Sequence, residues 1–301
     1  MDNLGPALGG KPLHVFWLLD VSGSMSVGGK IAALNDAMRV AVDSVRDAAS
    51  ENPTVEVFAR SIMFAHDAEW VEEVMVGAGP LPSGIPISDY EWTDISVVDR
   101  GTTEVGRAID LATKAIAEVS KAGRGLPPAL ILVSDGKPTD LKSPSYGASL
   151  RALAEHPWGR KASRMAIGIG DDADMEALHQ FTGHEEIPPL KAANAEDLRH
   201  YLRWASTVVV DEGSRPTVDW KERGGSESPV IDPDDVVTSP VLGGDSSDDV
   251  VTEPVLSGLD DVPTSPAGDI PPPTGSPRVD IAPPPGLDLP PPPPPTGDAV
   301  W

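Results

Sequence analysis

The stretch LLDVSGSMSVGGK, residues 18–30, ends an apolar run on a carboxylate and follows it at once with hydroxyls. Asp20, Ser22 and Ser24 stand two residues apart, with Gly23 between the serines. In an extended segment, residues two apart project to the same side, and the glycine lets the backbone turn tightly between them. One carboxylate and two hydroxyls on one side are hard oxygen donors. They suit Mg²⁺, which takes about six oxygens in an octahedron and keeps several waters. Two further oxygens come from distant segments. RGTTEVG offers Thr103, with Thr102 as the neighbouring alternative, and LVSDGKPTD offers Asp135. The competing reading makes Asp20 and Ser22 helix caps, but the helical pattern starts near Lys30, several residues too late. Thr103 also stands where an N-cap would, which does not exclude a metal role. Asp140 reads as a solvated loop acid, with support of the metal ligands from behind as the alternative.

These residues need elements that hold them. LHVFWLLD (13–20) is nearly continuous and apolar, the pattern of a strand buried on both faces. Residues 30–50 follow with helical spacing, with Ile31, Leu34, Ala37, Met38, Ala41, Val42 and Val45 on one stripe. Residues 54–64 and 68–76 read as two strands around a short turn, the second antiparallel because its connection is too short for a crossover. Residues 77–101, rich in Gly, Pro and Ser, read as a long surface loop. A helix over 104–122, a buried strand over 128–135, a helix over 149–156 and a strand over 164–170 follow. Helices over 174–183 and 195–210 end the series. Strands alternating with helices predict an α/β fold: a doubly wound, mostly parallel sheet with helices on both faces. In such sheets ligands bind beyond the carboxyl ends of the strands, at a topological switch point. Asp20 and Asp135 both fall at strand ends.

Composition divides the chain. Residues 1–210 hold 29 acidic against 19 basic side chains, whereas residues 211–301 hold 18 against 4 and carry 20 of the 33 prolines. The second segment cannot bury enough apolar surface to offset its ordering entropy, so a disordered acidic, Pro-rich tail is expected there. The expected organisation is an arm over 1–11, a domain over 12–210 and the tail. A net charge of −24 argues against nucleic acid or an anionic membrane as partner. The chain has no Cys, which removes disulfides, thiolate metal sites and a Cys nucleophile. No signal peptide and no run of about 20 apolar residues stands out, so a cytoplasmic protein is expected.

Taken together, Asp-x-Ser-x-Ser after the first strand, Gly-Thr-Thr before a helix and Ser-Asp-Gly after a later strand resemble a von Willebrand factor A domain over residues 12–210. The resemblance implies a metal-ion-dependent adhesion site at the upper edge of the sheet. In that site Ser22, Ser24 and Thr103 would hold Mg²⁺ through their hydroxyls, and Asp20 and Asp135 directly or through water. Mn²⁺ and Ca²⁺ are the alternative ions. One coordination position stays open for an Asp or Glu of a protein partner, so the implied function is metal-dependent protein binding rather than catalysis. EWTDISVVDRGTTEVGRAI is most similar to bacterial TerY-type proteins, which are associated with tellurium resistance and stress response alongside Ser/Thr kinases and metal-dependent protein phosphatases. That similarity implies a scaffold or substrate in phosphorylation signalling. The alternative within the family is an adaptor for a MoxR- or chelatase-type AAA+ ATPase.

An enzyme reading competes. A haloacid-dehalogenase-type phosphatase also opens with a strand ending on an Asp, and IGIGDDADM resembles its later acidic motif. That chemistry needs Asp-x-Asp, one acid attacking and the second acting as general acid/base. Ser22 occupies the second position, and its hydroxyl cannot replace that acid. Asp171 and Asp172 then read as caps of the helix from Asp174. The six His residues show no ligand or triad spacing, and neither serine sits in Gly-x-Ser-x-Gly. Trp92, in the long loop before the threonine motif, is placed to flank the metal face.

The tail repeats itself: DDVVTSPVL (234–242), DDVVTEPVL (248–256) and, more loosely, DDVPTSPAG (260–268). Thr238, Thr252 and Thr264 are candidates for phosphorylation, to be read by a phosphothreonine-binding domain through Arg. The bland alternative is an acidic spacer duplicated by slippage. Residues 283–301 read as polyproline II, either a ligand for an aromatic groove or a stiff spacer. The tail's acids are also candidates to occupy their own domain's open metal position.

Overall fold

The computed structural model describes residues 10–75, 83–98, 101–184, 187–214 and 290–296. β1, Lys11–Asp20, is buried over its last eight residues. Phe16 and Leu18 face one apolar cluster, while Val15, Trp17 and Leu19 face the other. A strand covered on both sides has no polar face to show, which is why its sequence runs apolar without alternation. β1 is followed by a 3-10 segment, Gly23–Gly29, and then by α1, Lys30–Glu51. Gly28 and Gly29, at φ 64° and 78°, take the left-handed backbone that breaks the two apart.

β2 is Val55–Phe64, β3 Ala68–Trp70, α2 Val71–Met75 and β4 Ile85–Pro86. α3 spans Val105–Ser120, β5 Ala129–Ser134, α4 Tyr146–Glu155 and β6 Ser163–Ile169. α5, Met175–Thr182, β7, Leu190–Ala192, and α6, Ala195–Ser214, complete the order. The seven-stranded sheet runs β3-β2-β1-β5-β6-β7, with β4 also on β2. β1, β2, β5, β6 and β7 are parallel, and β3 and β4 pair antiparallel with the outer edge of β2. α1 and α6 cover one face, and α3, α4 and α5 the other. The doubly wound α/β fold is therefore as expected. The chain goes from β1 outward to β2 and later returns to β1's other side with β5. That reversal puts the topological switch point between β1 and β5.

Two local expectations are corrected. The strand expected over 68–76 is only three residues long. It turns into α2 at Val71, and α2 sends Glu72 inward, where Oε1 accepts from the Ser61 amide at 2.7 Å and the Tyr90 hydroxyl at 2.9 Å. Residues 83–98, expected as surface loop, contribute β4 and bury Ile87, Tyr90 and Ile95. β7 has no signature in the sequence, because three residues are too few to show a period. α6 runs to Ser214, past the helix end expected at residue 210. Thr238, Thr252, Thr264 and the repeats lie outside the described residues. No helix among the described residues is long and apolar enough to cross a membrane.

Candidate metal centre

Asp20 is the last residue of β1 and Asp135 follows β5 directly, so the two carboxylates leave adjacent parallel strands at the switch point. Both are fully enclosed, 0% and 1% exposed. Ser22 and Ser24 lie between β1 and α1, and the 3-10 segment begins at Gly23, which folds Ser24 back over the strand ends. Hydrogen bonds join four of the five expected ligands. Asp20 Oδ1 accepts from the Ser22 amide at 2.8 Å. Ser24 donates to Asp135 Oδ1 at 2.6 Å, and the Ser22 and Ser24 hydroxyls are 3.0 Å apart. Ser24 has one proton and gives it to Asp135, so Ser22 donates to Ser24.

Thr103 is buried at the same end of the sheet, but among the described residues no hydrogen bond joins it to the other four. Its loop is instead fastened to the loop after β5. The Thr103 amide donates to Thr139 Oγ1 at 2.7 Å, and the Thr139 amide donates back to the Thr103 carbonyl at 3.0 Å. Glu104, wholly buried, accepts from the Leu141 and Lys142 amides. Asp140 Oδ1 accepts from the Gly106 amide and its Oδ2 from the Tyr146 amide, each at 2.9 Å. Asp140 is therefore no solvated loop acid. It satisfies orphan amides at the starts of both α3 and α4, while Glu104, not Thr103, is the N-cap of α3. At Gly106 a Cβ would stand 2.7 Å from the Pro144 carbonyl, so only glycine lets α3 approach the chain before α4 this closely.

Sequence reasoning missed two groups that touch the carboxylates. Ser134 donates to Asp20 Oδ2 at 2.6 Å. Lys30, 5% exposed, places Nζ 2.8 Å from Asp135 Oδ2 and 3.4 Å from Asp172 Oδ1. Burial works to lower the Lys30 pKa, but its hydrogen bond and charge attraction with Asp135 outweigh this and raise it. Burial pushes Asp20 up to about 6, helped by the Asp135 charge and opposed by the bonds from Ser134 and Ser22. Asp171 and Asp172 do not cap α5. Asp174 does, accepting from the Ala177 amide at 3.2 Å, while Asp171 pairs with Lys191. Trp92 donates to Asn35 Oδ1 on α1 and packs against the core. The Val98 amide, bonded to the Val21 carbonyl at 2.7 Å, is what carries this segment past the strand ends. No group of three or more His, Cys, Asp or Glu able to hold a metal occurs among the described residues. The centre is thus two carboxylates completed by hydroxyls.

No family model matches the sequence, and no curated protein matches it. Among solved structures the chain is similar to a von Willebrand factor type A protein from Catenulispora acidiphila, at 15% identity and a TM-score of 0.49, over 67% of this chain and 43% of that one. It is similar to the ArnB paralog VWA2 from Sulfolobus acidocaldarius, at 21% identity and 0.43, over 66% and 46%. It is also similar to proximal thread matrix protein 1 from the mussel byssus with a zinc-occupied MIDAS motif, at 18% and 0.43, over 66% and 48%. The chain spans less than half the length of each of these three.

Proposed function

We propose that this chain is a metal-dependent protein-binding module of the von Willebrand factor A kind. The carrying observation is the convergence of Asp20, Ser22, Ser24 and Asp135 at the ends of β1 and β5, joined by hydrogen bonds. The donors are all oxygens of the hard class that Mg²⁺ or Mn²⁺ takes. Asp20's raised pKa fits a carboxylate enclosed without full charge compensation. A bound divalent ion would supply positive charge and a position for an Asp or Glu of a partner. The chain's part is to hold the oxygens: the Ser22 amide and Ser134 orient Asp20, Ser24 orients Asp135, and the Asp140 and Glu104 bonds fix the loop of Thr103. Beyond this, the chain acts as a scaffold or substrate in bacterial Ser/Thr phosphorylation, with Thr238, Thr252 and Thr264 as the modified residues. Phosphopeptide mass spectrometry of the chain from its source cells tests that part. Absence of all three phosphates under stress would remove it.

One observation favours a second reading. Lys30 already neutralises Asp135, so the cluster can be an internal ion-pair network that takes no metal. Water-proton relaxation during Mn²⁺ titration separates the two. The metal reading expects one site with enhanced relaxation, weakened at least ten-fold in a Ser22→Ala, Ser24→Ala double variant. It also expects an acidic peptide to reduce the enhancement by displacing water. Equal binding by both proteins, or binding by neither, would leave the ion-pair reading standing.

A further inference from the structure

The six consecutive prolines Pro290–Pro295 and Thr296 belong to the same compact unit as the sheet. Pro290, Pro291 and Pro292 close one side of an open cleft whose other walls include Met165, Ile187, Pro188, Leu190 and Trp204. The cleft lies along β7, the last strand in the sheet order among the described residues, and α6. Consecutive prolines hold one another in polyproline II, an extended helix with no internal hydrogen bonds. A flat aromatic wall is how such a helix is recognised.

Thr296 adds the polar half of the contact. It is the first residue after the prolines with a backbone N–H, and that N–H donates to Asp197 Oδ1 at 2.6 Å. Its hydroxyl donates to the same oxygen at 2.9 Å. Asp197 is 0% exposed, and its other oxygen, Oδ2, accepts from the Ala193 amide and the Asn194 side chain. A buried carboxylate oxygen needs donors, and Oδ1 receives both of these from the tail. The spacing agrees as well. Asp197 and Trp204 are seven residues apart on α6, about 10 Å at 1.5 Å per residue. Pro292 and Thr296 are four apart, about 12 Å at 3.1 Å per residue. One extended segment therefore reaches both anchors.

We propose that the α6–β7 groove is a polyproline-recognition site whose resident ligand is the chain's own Pro290–Thr296, held in cis as a clasp. The clasp joins both ends of the stretch 215–289 to α6, so Thr238, Thr252 and Thr264 lie between two anchors rather than on a free end. It rests on none of the metal chemistry proposed above. A tethered ligand acts at an effective concentration on the order of millimolar, so a separate peptide of about 0.1 mM affinity is weakened about ten-fold by its tethered copy.

The test uses the full chain and a fluorescent peptide of residues 287–297. Thr296→Pro removes both donors from the tail and leaves the domain's own residues untouched. The expected result is peptide binding about ten-fold tighter to Thr296→Pro than to wild type, and lost when Trp204→Ala is added. Hydrogen exchange should show the Thr296 amide protected in wild type. Equal binding to wild type and Thr296→Pro, binding to neither, or a Thr296 amide exchanging at the free-peptide rate would each overturn the proposal. Wild type found as a dimer by light scattering, with Thr296→Pro a monomer, would overturn the cis clasp in favour of exchange between two copies.

Discussion

Asp20→Asn in metal-free protein is the sharpest probe of the site. Enclosure raises the Asp20 pKa from 3.8 to about 6. At about 1.4 kcal/mol per unit, a gap of about two units means ionised Asp20 costs the fold about 3 kcal/mol. The native state binds this proton more tightly than the unfolded chain does. The cost is therefore absent below about pH 4, grows as pH rises, and is complete above about pH 6. Asn preserves the contacts. Its Oδ1 still accepts from the Ser22 amide, and its Nδ2 donates to Ser134, whose own proton turns to the Gly136 carbonyl 3.5 Å away. Urea unfolding in EDTA should find the two proteins equal near pH 4 and Asp20→Asn more stable by about 2–3 kcal/mol at pH 7. Mg²⁺ should reverse that order once it reaches about 1,000 times its Kd, where wild type gains about 4.1 kcal/mol and the variant gains nothing. If Asp20→Asn is less stable than wild type in EDTA by the same margin at both pH values, the charge carries no penalty and the reasoning fails.

Lys30→Met strips Asp135 of its buried partner and should cost about 3 kcal/mol in EDTA, recovered in part by Mg²⁺; a melt that Mg²⁺ leaves unmoved counts against a cation at this site. Asp140→Ala leaves the Gly106 and Tyr146 amides without their acceptor and should cost about 2 kcal/mol in urea unfolding. A loss under 0.5 kcal/mol would mean that water replaces the carboxylate. Gly106→Ala forces a methyl against the backbone before α4 and should cost about 1–3 kcal/mol. An unchanged melting temperature would show that α3 can move away freely.

Where one residue's neighbours are written in a local period, the sequence spoke plainly. The unbroken apolar runs of β1 and β5 and the stripe of α1 each state a burial pattern, and the acids that end those runs mark the site. AEWVEEVMV was ambiguous because Val71, Val74 and Met75 fit a helical turn as well as a strand. What decided it was Glu72's reach to Ser61 and Tyr90, eleven and eighteen residues away. The same holds within the site. Lys30 meets Asp135 across 105 residues and Ser134 meets Asp20 across 114, distances at which no local pattern exists. Glu104 and Asp140 look like ordinary loop acids in sequence, and only the stitched loops reveal them as acceptors for backbone amides. Thr296 was invisible for the opposite reason, since a run of prolines announces a shape without saying what it rests on.

Charge explains how these pieces work as one site on the proposed reading. Asp20 and Asp135 bring two negative charges into an enclosed switch point, and Lys30 returns one positive charge, while the Asp172 carboxylate that Lys30 also reaches is 72% exposed and screened by solvent. The remainder of −1 is what burial penalises, and Asp20 registers it as a raised pKa. A divalent ion turns the balance to +1. A single Asp or Glu from a partner then brings it to zero, whereas a neutral or basic side chain leaves the charge uncompensated in a poorly solvated place. Without Lys30 the metal-loaded site would already be neutral and would have little reason to prefer an acid. The lysine that looks like the metal's competitor is, by this count, what makes the loaded site select a carboxylate.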